Sequence, residues 1–514
     1  MSTWLNHIGN SMPLNYVQKI EDAQIYDLAV KTPVDDAPLL SQRLNNRVLL
    51  KREDLQPVFS FKLRGAYNKL LNLSKQQLAT GVVAASAGNH AQGLALASKK
   101  MGIKATIVMP RTTPRIKVDA VRARGAEVVL MGDSYDEAAA HATALVEKDG
   151  LTYIHPFDDP DVIAGQGTIG MEIVRQIPDP LDAIFIAVGG GGLCAGIAAY
   201  VKQLRPGIKI IAVESDDAAC LDAALKAGKR VKLEQVGIFA DGTAVAQIGE
   251  ETFRLLKDLV DEVITVSTDE ICAAIKDVYN DTRAICEPSG ALGTAGLKKY
   301  VEIHGVENQT LLSVQCGANI DFDRLRYISE RTEIGEKREA VLAVTIAEKP
   351  GSFQSFCGDL GRHSISEFNY RYNDQKKAHI FVGVQVSNDN DRHSLVSELQ
   401  QKSYDVTDLT DNEMAKLHIR HMVGGRADKV AEEQVFRFEF PERPGALLNF
   451  LAQLGGRFNI SMFHYRNHGS AFGRVLVGLQ LNQQDPADLK GFLDNLGYRY
   501  WDETDNPAYQ FFLG

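Results

Sequence analysis

The chain has little that would cross-link it, anchor it in a membrane or prepare it for nucleic acid. Its six cysteines, Cys194, Cys220, Cys272, Cys286, Cys316 and Cys357, stand far apart in 514 residues with no C-x-x-C pair. That spacing argues against a disulfide framework or a structural zinc site and for reduced, buried thiols. No run approaches the roughly 18 apolar residues that a membrane helix requires. The start, "MSTWLNHIGN", lacks a basic segment followed by an apolar one, so the expected location is the cytoplasm, with no membrane partner. Acidic residues exceed basic ones, 66 to 56, and no Lys/Arg tract offsets the net charge of -10, which disfavours nucleic acid as a partner.

What is present is ordinary globular material: 45% apolar and 24% charged residues. At about 150 residues per domain, the length suggests three or so domains. Between Gly81 and Ser215, short Val- and Ile-rich runs ("GVVAAS", "ATIVMP", "AEVVLMG", "AIFIAV", "IKIIAVES") alternate with helix-like stretches such as "HAQGLALASKKMG" and "SYDEAAAHATALVEKDG". Apolar strands without strict alternation suit a parallel sheet covered on both faces. The expected fold class is therefore α/β, a doubly wound and mostly parallel sheet that binds ligands beyond the carboxyl ends of its strands.

Past Leu325 the character changes. "ISERTEIGEKRE" is charged and reads as a neck, and beyond it the chain repeats itself. "VLAVTIAEKPGSFQSFCGDLG" from Val341 matches "VFRFEFPERPGALLNFLAQLG" from Val435 at a spacing of 94. The match resumes at 95 for Ile365 and Ile460 and for Tyr370-Arg371 and Tyr465-Arg466, and closes at 94 with "DLTDN" and "DETDN". Self-similarity of this length indicates duplicated supersecondary units. Each reads strand, Pro-Gly turn, helix, strand, strand, helix and short strand, which is close to a ferredoxin-like α+β sandwich. The expected domains are 1-325 (two α/β subdomains), a linker 326-337, and regulatory units 338-415 and 432-514. The units could equally be no more than subunit glue, since fold does not dictate function.

Five short segments carry the candidate chemistry. "SFKLRGA", Ser60 to Ala66, holds Lys62 behind an aromatic residue; taken alone, it permits an ordinary surface lysine. "AVGGGGLCAG" sets four glycines between an apolar strand and a helix, where N-H groups and the helix N-terminus can receive phosphate. Its spacing fits neither the dinucleotide nor the P-loop pattern. In "SAGNHAQG", Ser86 and the adjoining N-H groups could hold a carboxylate and Asn89 could donate to a ring oxygen; His90, with no second ligand nearby, reads as a packed or capping residue. "CEPSGALGTAG" bears a single carboxylate, Glu287, and "SVQCGAN" ends an apolar strand at Cys316; either could be plain turn punctuation.

In this order and approximate spacing, the five segments resemble the fold type II pyridoxal-phosphate enzymes, the tryptophan synthase β family, and most closely the threonine and serine dehydratases. With the duplicated tail, similar to paired ACT-like domains, the chain resembles the biosynthetic, regulated threonine dehydratases. The resemblance implies pyridoxal 5'-phosphate bound covalently by Lys62, whose amine also serves as the base at the substrate α-carbon. Lys62 must then be unprotonated, its pKa lowered by a dry pocket. It further implies Phe61 and Asn89 beside the cofactor ring, and phosphate on the N-H groups of Gly189, Gly190, Gly191, Gly192 and Leu193. The substrate carboxylate would lie on Ser86, Ala87, Gly88 and Asn89, with Ser86 also counted as catalytic. Cys316 matches the position facing the pyridine nitrogen. A thiol there cannot hold a ring proton as a carboxylate does, which suits elimination over transamination. No metal is implied: Glu214 could begin a cation site, but Cys220 stands near where a second carboxylate would be needed.

The activity implied is removal of water and ammonia from L-threonine to give 2-oxobutanoate, with L-serine giving pyruvate. This is the entry to isoleucine biosynthesis, with inhibition by L-isoleucine opposed by L-valine, in a homotetramer. Phe368, Tyr370, Phe463 and Tyr465 are the effector-site candidates, although aromatic residues in such units also serve simply to fill a core. The other readings are a serine dehydratase or racemase of the same family, a non-catalytic amino-acid sensor, and a nicotinamide oxidoreductase without its fingerprint.

Overall fold

The structure, a computed structural model, describes residues 13–347, 352–361, 363, 365–370, 377–421, 433–441, 459–466, 472–480 and 486–513. It divides into two compact units, Met1–Asp321 and Phe322–Gly514.

The first unit contains two sheets. Strands β1 (Val34–Asp36) and β2 (Arg47–Arg52) begin a six-stranded sheet that the chain then leaves. It next builds β3 (Val82–Ala85), β4 (Ala105–Met109), β5 (Glu127–Leu130) and β6 (Thr152–Tyr153) into a separate four-stranded parallel sheet, ordered β5-β4-β3-β6. It returns with β7 (Ala183–Ala187), β8 (Lys209–Ser215), β9 (Glu262–Val266) and β10 (Thr310–Gln315) to complete the first sheet, ordered β1-β2-β10-β7-β8-β9. Only β1 runs antiparallel to its neighbour there. Strands β3, β4 and β7 are buried at every position, which explains why their sequences run apolar without alternating.

Glycines set how closely the helices of this unit approach. The helix Lys62–Leu71 crosses Pro160–Gln176 where Gly65 meets Gly165: a methyl group on Gly165 would lie 2.6 Å from the Arg64 carbonyl oxygen, and one on Gly65 2.7 Å from that of Val162. The helix Asn89–Met101 closes on the same element, Gly93 lying against the backbone of Leu63. The lysine-bearing helix is thus wedged between two others at backbone contact distance.

The second unit begins with the neck helix Arg324–Gly335 and contains the duplicated pattern expected from the repeat. Strands β11 (Glu339–Ala347), β12 (Ile365–Tyr370), β13 (Lys377–Gln385) and β14 (Asp405–Asp408) form an antiparallel sheet ordered β12-β13-β11-β14. Strands β15 (Glu433–Pro441), β16 (Asn459–Arg466), β17 (Phe472–Gln480) and β18 (Arg499–Asp502) repeat it as β16-β17-β15-β18. Even the irregularity is duplicated, at Ile365/Glu367 and at Ile460/Met462.

The halves meet, and equivalent residues recur in each. Asn412 donates from Nδ2 to Oδ1 of Asn506, its counterpart in the repeat, at 3.1 Å. Val341 N-H donates to Thr410 Oγ1 at 3.0 Å, and Val435 N-H to Thr504 Oγ1 at 3.1 Å. Val341, Phe381, Met414, Val435, Leu476 and Tyr509 share one apolar core between the halves. The Pro350-Gly351 and Pro444-Gly445 turns, and the side chains of Phe368, Tyr370, Phe463 and Tyr465, lie outside the described residues. Their backbones occupy equivalent registers: Phe368 faces Val382 and Tyr370 faces Ile380, as Phe463 faces Val477 and Tyr465 faces Val475.

Candidate active site

Lys62 opens its helix, and the segment before it is stitched to the end of β10. Phe61 N-H donates to the Cys316 carbonyl oxygen at 3.2 Å, Ala318 N-H to that of Phe59 at 2.9 Å, and Ser60 pairs with Gly317. Phe59 adopts φ of 56°, a conformation that a bulky side chain rarely takes and that helps turn the chain into the helix. The half-buried Lys62 amine donates to the Pro156 carbonyl oxygen at 2.8 Å and sits 5.3 Å from the centre of the Phe61 ring. Burial lowers its pKa to about 8, against the opposing pull of the Glu287 carboxylate. An amine there is readily deprotonated, the state it needs in order to attack a carbonyl.

The glycine loop follows β7. Its residues are closely covered: a side chain on Gly189 would meet the Thr243 backbone, one on Gly190 would be driven into the Phe157 ring, and one on Gly192 would meet the Phe157 backbone. Gly191, at φ of 92°, turns the chain into the helix Gly192–Leu204. The N-H groups of Gly192, Leu193 and Cys194 open that helix and have no acceptor within it. Such a loop, close-packed behind and rich in unspent donors, fits a phosphate group.

Ser86 and Asn89 stand at the carboxyl end of β3, where Ser86 Oγ accepts the Gly88 N-H at 3.3 Å. A side chain built on Gly88 would meet nothing within 4 Å, so there is open space beside the chain at that residue. The Asn89 amide donates from Nδ2 to Glu287 at 2.6 Å and accepts at Oδ1 from Asn319 at 2.7 Å. Three of the quoted segments therefore converge on one partly buried contact. The Cys316 thiol donates to the Ser289 carbonyl oxygen at 3.2 Å, and burial pushes its pKa well up, so it stays protonated.

His90 is a packed residue, as its isolation in the sequence suggested. Its Nε2 pairs with the Ile154 carbonyl oxygen at 3.0 Å, and burial holds its pKa down at about 3. Glu214 spends both carboxylate oxygens on the N-H groups of Leu221 and Asp222, and burial raises its pKa to about 7. Among the described residues, no group of His, Cys, Asp and Glu has the arrangement of a metal site.

Sequence reading missed the segment "YIHPFDDP", Tyr153 to Pro160, which links these parts. Pro156 holds the lysine and Phe157 backs the glycine loop. Nδ1 of His155 accepts the N-H groups of Phe157 and Asp158, which puts the imidazole proton on Nε2. Asp158 caps the helix Glu250–Leu259, whose Thr252 hydroxyl donates to the Gly190 carbonyl oxygen at 2.7 Å. The Asp159-Pro160 pair, a capping residue before proline, was the available signal that a tight loop ends there.

Arg64, two residues from the lysine, has no part in lowering the lysine's pKa. Its fully buried guanidinium grips Glu53 from Nε and Nη2 at 2.7 Å each, and Glu172 from Nη1 at 2.6 Å.

Comparison with known proteins agrees with this geometry. The family described as pyridoxal-phosphate dependent enzymes matches residues 25–317. The C-terminal regulatory domain of threonine dehydratase matches twice, at residues 330–419 and 424–513. The chain is 55% identical to the biosynthetic L-threonine dehydratase of Burkholderia multivorans over 502 residues, 97% of this chain and 99% of that one. With the Escherichia coli biosynthetic L-threonine dehydratase it shares 53% over 499 residues, 97% of each chain. Among solved structures, the processed form of threonine deaminase isoform 2 from Solanum lycopersicum is similar at 52% identity and a TM-score of 0.62, over 63% of this chain and 88% of that one. Serine racemase from Dictyostelium discoideum follows at 34% identity and a TM-score of 0.56, over 60% of this chain and 99% of that one.

Proposed function

The chain belongs to the pyridoxal-phosphate-dependent enzymes, as a threonine dehydratase with a doubled C-terminal regulatory region, and from this we propose how its own residues deaminate L-threonine to 2-oxobutanoate. The observation that carries the proposal is the Lys62 amine, held on the Pro156 carbonyl oxygen with a lowered pKa.

Lys62 would hold pyridoxal phosphate through the cofactor's aldehyde, and the cofactor when bound would supply an electron sink for the bond broken at the substrate α-carbon. Gly189 to Leu193 would bind its phosphate through their N-H groups, and Phe61 and Asn89 would line its ring. Ser86 to Asn89 would receive the substrate carboxylate. The free Lys62 amine would take the α-proton as general base. The Cys316 thiol donates to Ser289, which leaves its sulfur only a weak acceptor, and at the position the family uses beside the pyridine nitrogen it would not hold a ring proton. That keeps the sink moderate, in favour of losing the β-hydroxyl. The α-proton and the β-hydroxyl would depart together as one water, leaving an enamine that a second water converts to the 2-oxo acid and ammonia. L-Serine would give pyruvate by the same route.

The purified protein should release 2-oxo acid from L-threonine, followed by absorbance after coupling to a dehydrogenase; no release would end the proposal. The lysine adds a pH signature. Below pH 8 the amine is mostly protonated, so covalent uptake of pyridoxal phosphate by the apoenzyme should quicken about tenfold per pH unit up to about 8 and then level off. A rate that keeps rising toward pH 10 would mean an ordinary, solvated lysine.

The doubled region would bind the pathway's end product, L-isoleucine, with L-valine as its antagonist. Support comes from the equivalent strand registers of Phe368 and Phe463 and of Tyr370 and Tyr465. An effector acts only through unequal affinity for two conformations, typically about 1 to 3 kcal/mol of coupling. Tyr370→Ala or Tyr465→Ala should therefore move the isoleucine inhibition curve to roughly five- to hundredfold higher concentration while leaving activity without isoleucine intact. Inhibition curves that coincide with the parent's would remove these residues from the effector site. The family also points to a cytoplasmic homotetramer, which sedimentation would test.

A further inference from the structure

Asn89 does not stand alone. Its amide is clamped from both ends by residues to which the proposed chemistry gives no role. Nδ2 donates to Glu287 at 2.6 Å, and Oδ1 accepts from Asn319 Nδ2 at 2.7 Å. Asn319 is itself tied down, donating to the Val58 carbonyl oxygen at 2.7 Å. Glu287 is 3% exposed, and its backbone N-H donates to the Gly317 carbonyl oxygen at 3.1 Å. The clamp settles which end of the amide is nitrogen, and it commits one of the two Nδ2 protons.

We propose that Glu287 and Asn319 are positioning residues that act through Asn89, fixing its amide so that the second Nδ2 proton is presented to the oxygen on the cofactor ring. The proposal rests on the reading that Lys62 and Asn89 hold pyridoxal phosphate. A free asparagine amide can turn over and offer its oxygen instead, which would meet a ring oxygen acceptor to acceptor. Glu287 and Asn319 make the turned form pair carboxylate with carbonyl and donor with donor. A buried carboxylate left without its N-H donor is costly, so the preference is strong.

Charge makes the clamp responsive. Burial, with Asp241 adding to it, raises the Glu287 pKa to about 7, while Asn89, Lys117 and the Asn319 N-H pull it back. Lys62, Cys286 and Cys316 also face it. The ionised carboxylate, present above about pH 7, is the strong acceptor; protonated, it loosens its hold on Nδ2.

The test is titration of the full-length apoenzyme with pyridoxal phosphate, read by cofactor absorbance. Glu287→Ala, Asn319→Ala and Asn89→Ala should each weaken binding roughly tenfold. Because Glu287 and Asn319 act through Asn89, adding Glu287→Ala to Asn89→Ala should cost nothing further. Parent-like binding in the Glu287→Ala and Asn319→Ala variants overturns the proposal, and so does an undiminished further loss in the double variant. Glu287→Gln, closer in shape, covers the case in which the alanine variant fails to fold: both proteins should lose affinity as Lys62 is protonated below about pH 8, and the parent should show a further loss through about pH 7 that the glutamine variant lacks. An equal further loss in both overturns it. Borohydride reduction of the parent, followed by peptide mapping, checks the underlying site. Label on a lysine other than Lys62 overturns the site and the proposal together, whereas label on Lys62 with effects independent of Asn89 overturns the proposal alone.

Discussion

Lys62→Ala should lower threonine deamination by a factor of at least about 1000, the upper range of what a positioned general base contributes, because the same change also removes the cofactor's covalent anchor. The protein should remain folded, since Lys62 lies at the start of its helix and its amine bonds only to the Pro156 carbonyl oxygen. Borohydride should then fix no cofactor to the chain. Lys62→Arg is the sharper control. It keeps the length and the positive charge, yet a guanidinium does not give up its proton in a protein, so it can neither attack an aldehyde nor accept the α-proton. Activity in either variant above about a hundredth of the parent's would show that another group is the base.

The second large effect concerns stability. Arg64→Ala should destabilise the first unit by about 3 to 5 kcal/mol, the usual cost of removing one partner from a buried ionic group. Arg64 Nη1 also donates to Thr168 Oγ1 and Nη2 to the Val30 carbonyl oxygen, while Lys51 reaches Glu172 at 2.6 Å from the other side. Without the guanidinium, Glu53 and Glu172 would remain in a dry interior with Lys51 as the main compensation. Burial alone would raise the Glu172 pKa, but Arg64 and Lys51 outweigh it and hold the carboxyl below its ordinary value. A group so depressed contributes stability that is present above its unfolded pKa and lost as pH falls through the folded one. In the variant that contribution is largely gone already, so the gap from the parent should narrow on acidification below about pH 4.5. Denaturant midpoints at pH 7 and at low pH test both statements. A gap that is small at pH 7, or that widens in acid, would contradict them.

These effects show where reading the chain by itself stops. The strands around "AIFIAV" and "IKIIAVES", and the repeat at a spacing of 94, were legible because apolar periodicity and self-similarity are local properties. The strand sequences did not tell that β3 to β6 would form their own sheet between β2 and β7, since every buried parallel strand presents the same apolar run to either neighbour. Likewise, "SFKLRGA" showed a lysine and an arginine two residues apart without telling their fates. On the helix they diverge: Lys62 turns to Pro156 and Arg64 to Glu53 and Glu172.

The sequence by itself determined the class of fold, the duplication of the tail, and the order of five segments whose residue types suit a phosphate, a carboxylate and an imine-forming amine. Tertiary structure alone decided which polar groups meet in the dry interior. The "YIHPFDDP" loop comes under the glycines, Glu287 and Asn319 close on Asn89 from 198 and 230 residues away, and Arg64 is drawn into a buried ionic cluster. The reason is physical. Local propensity and periodicity are set by near neighbours, whereas the pKa of Lys62, the orientation of Asn89 and the cost of losing Arg64 depend on desolvation and on charges that only long-range packing brings together.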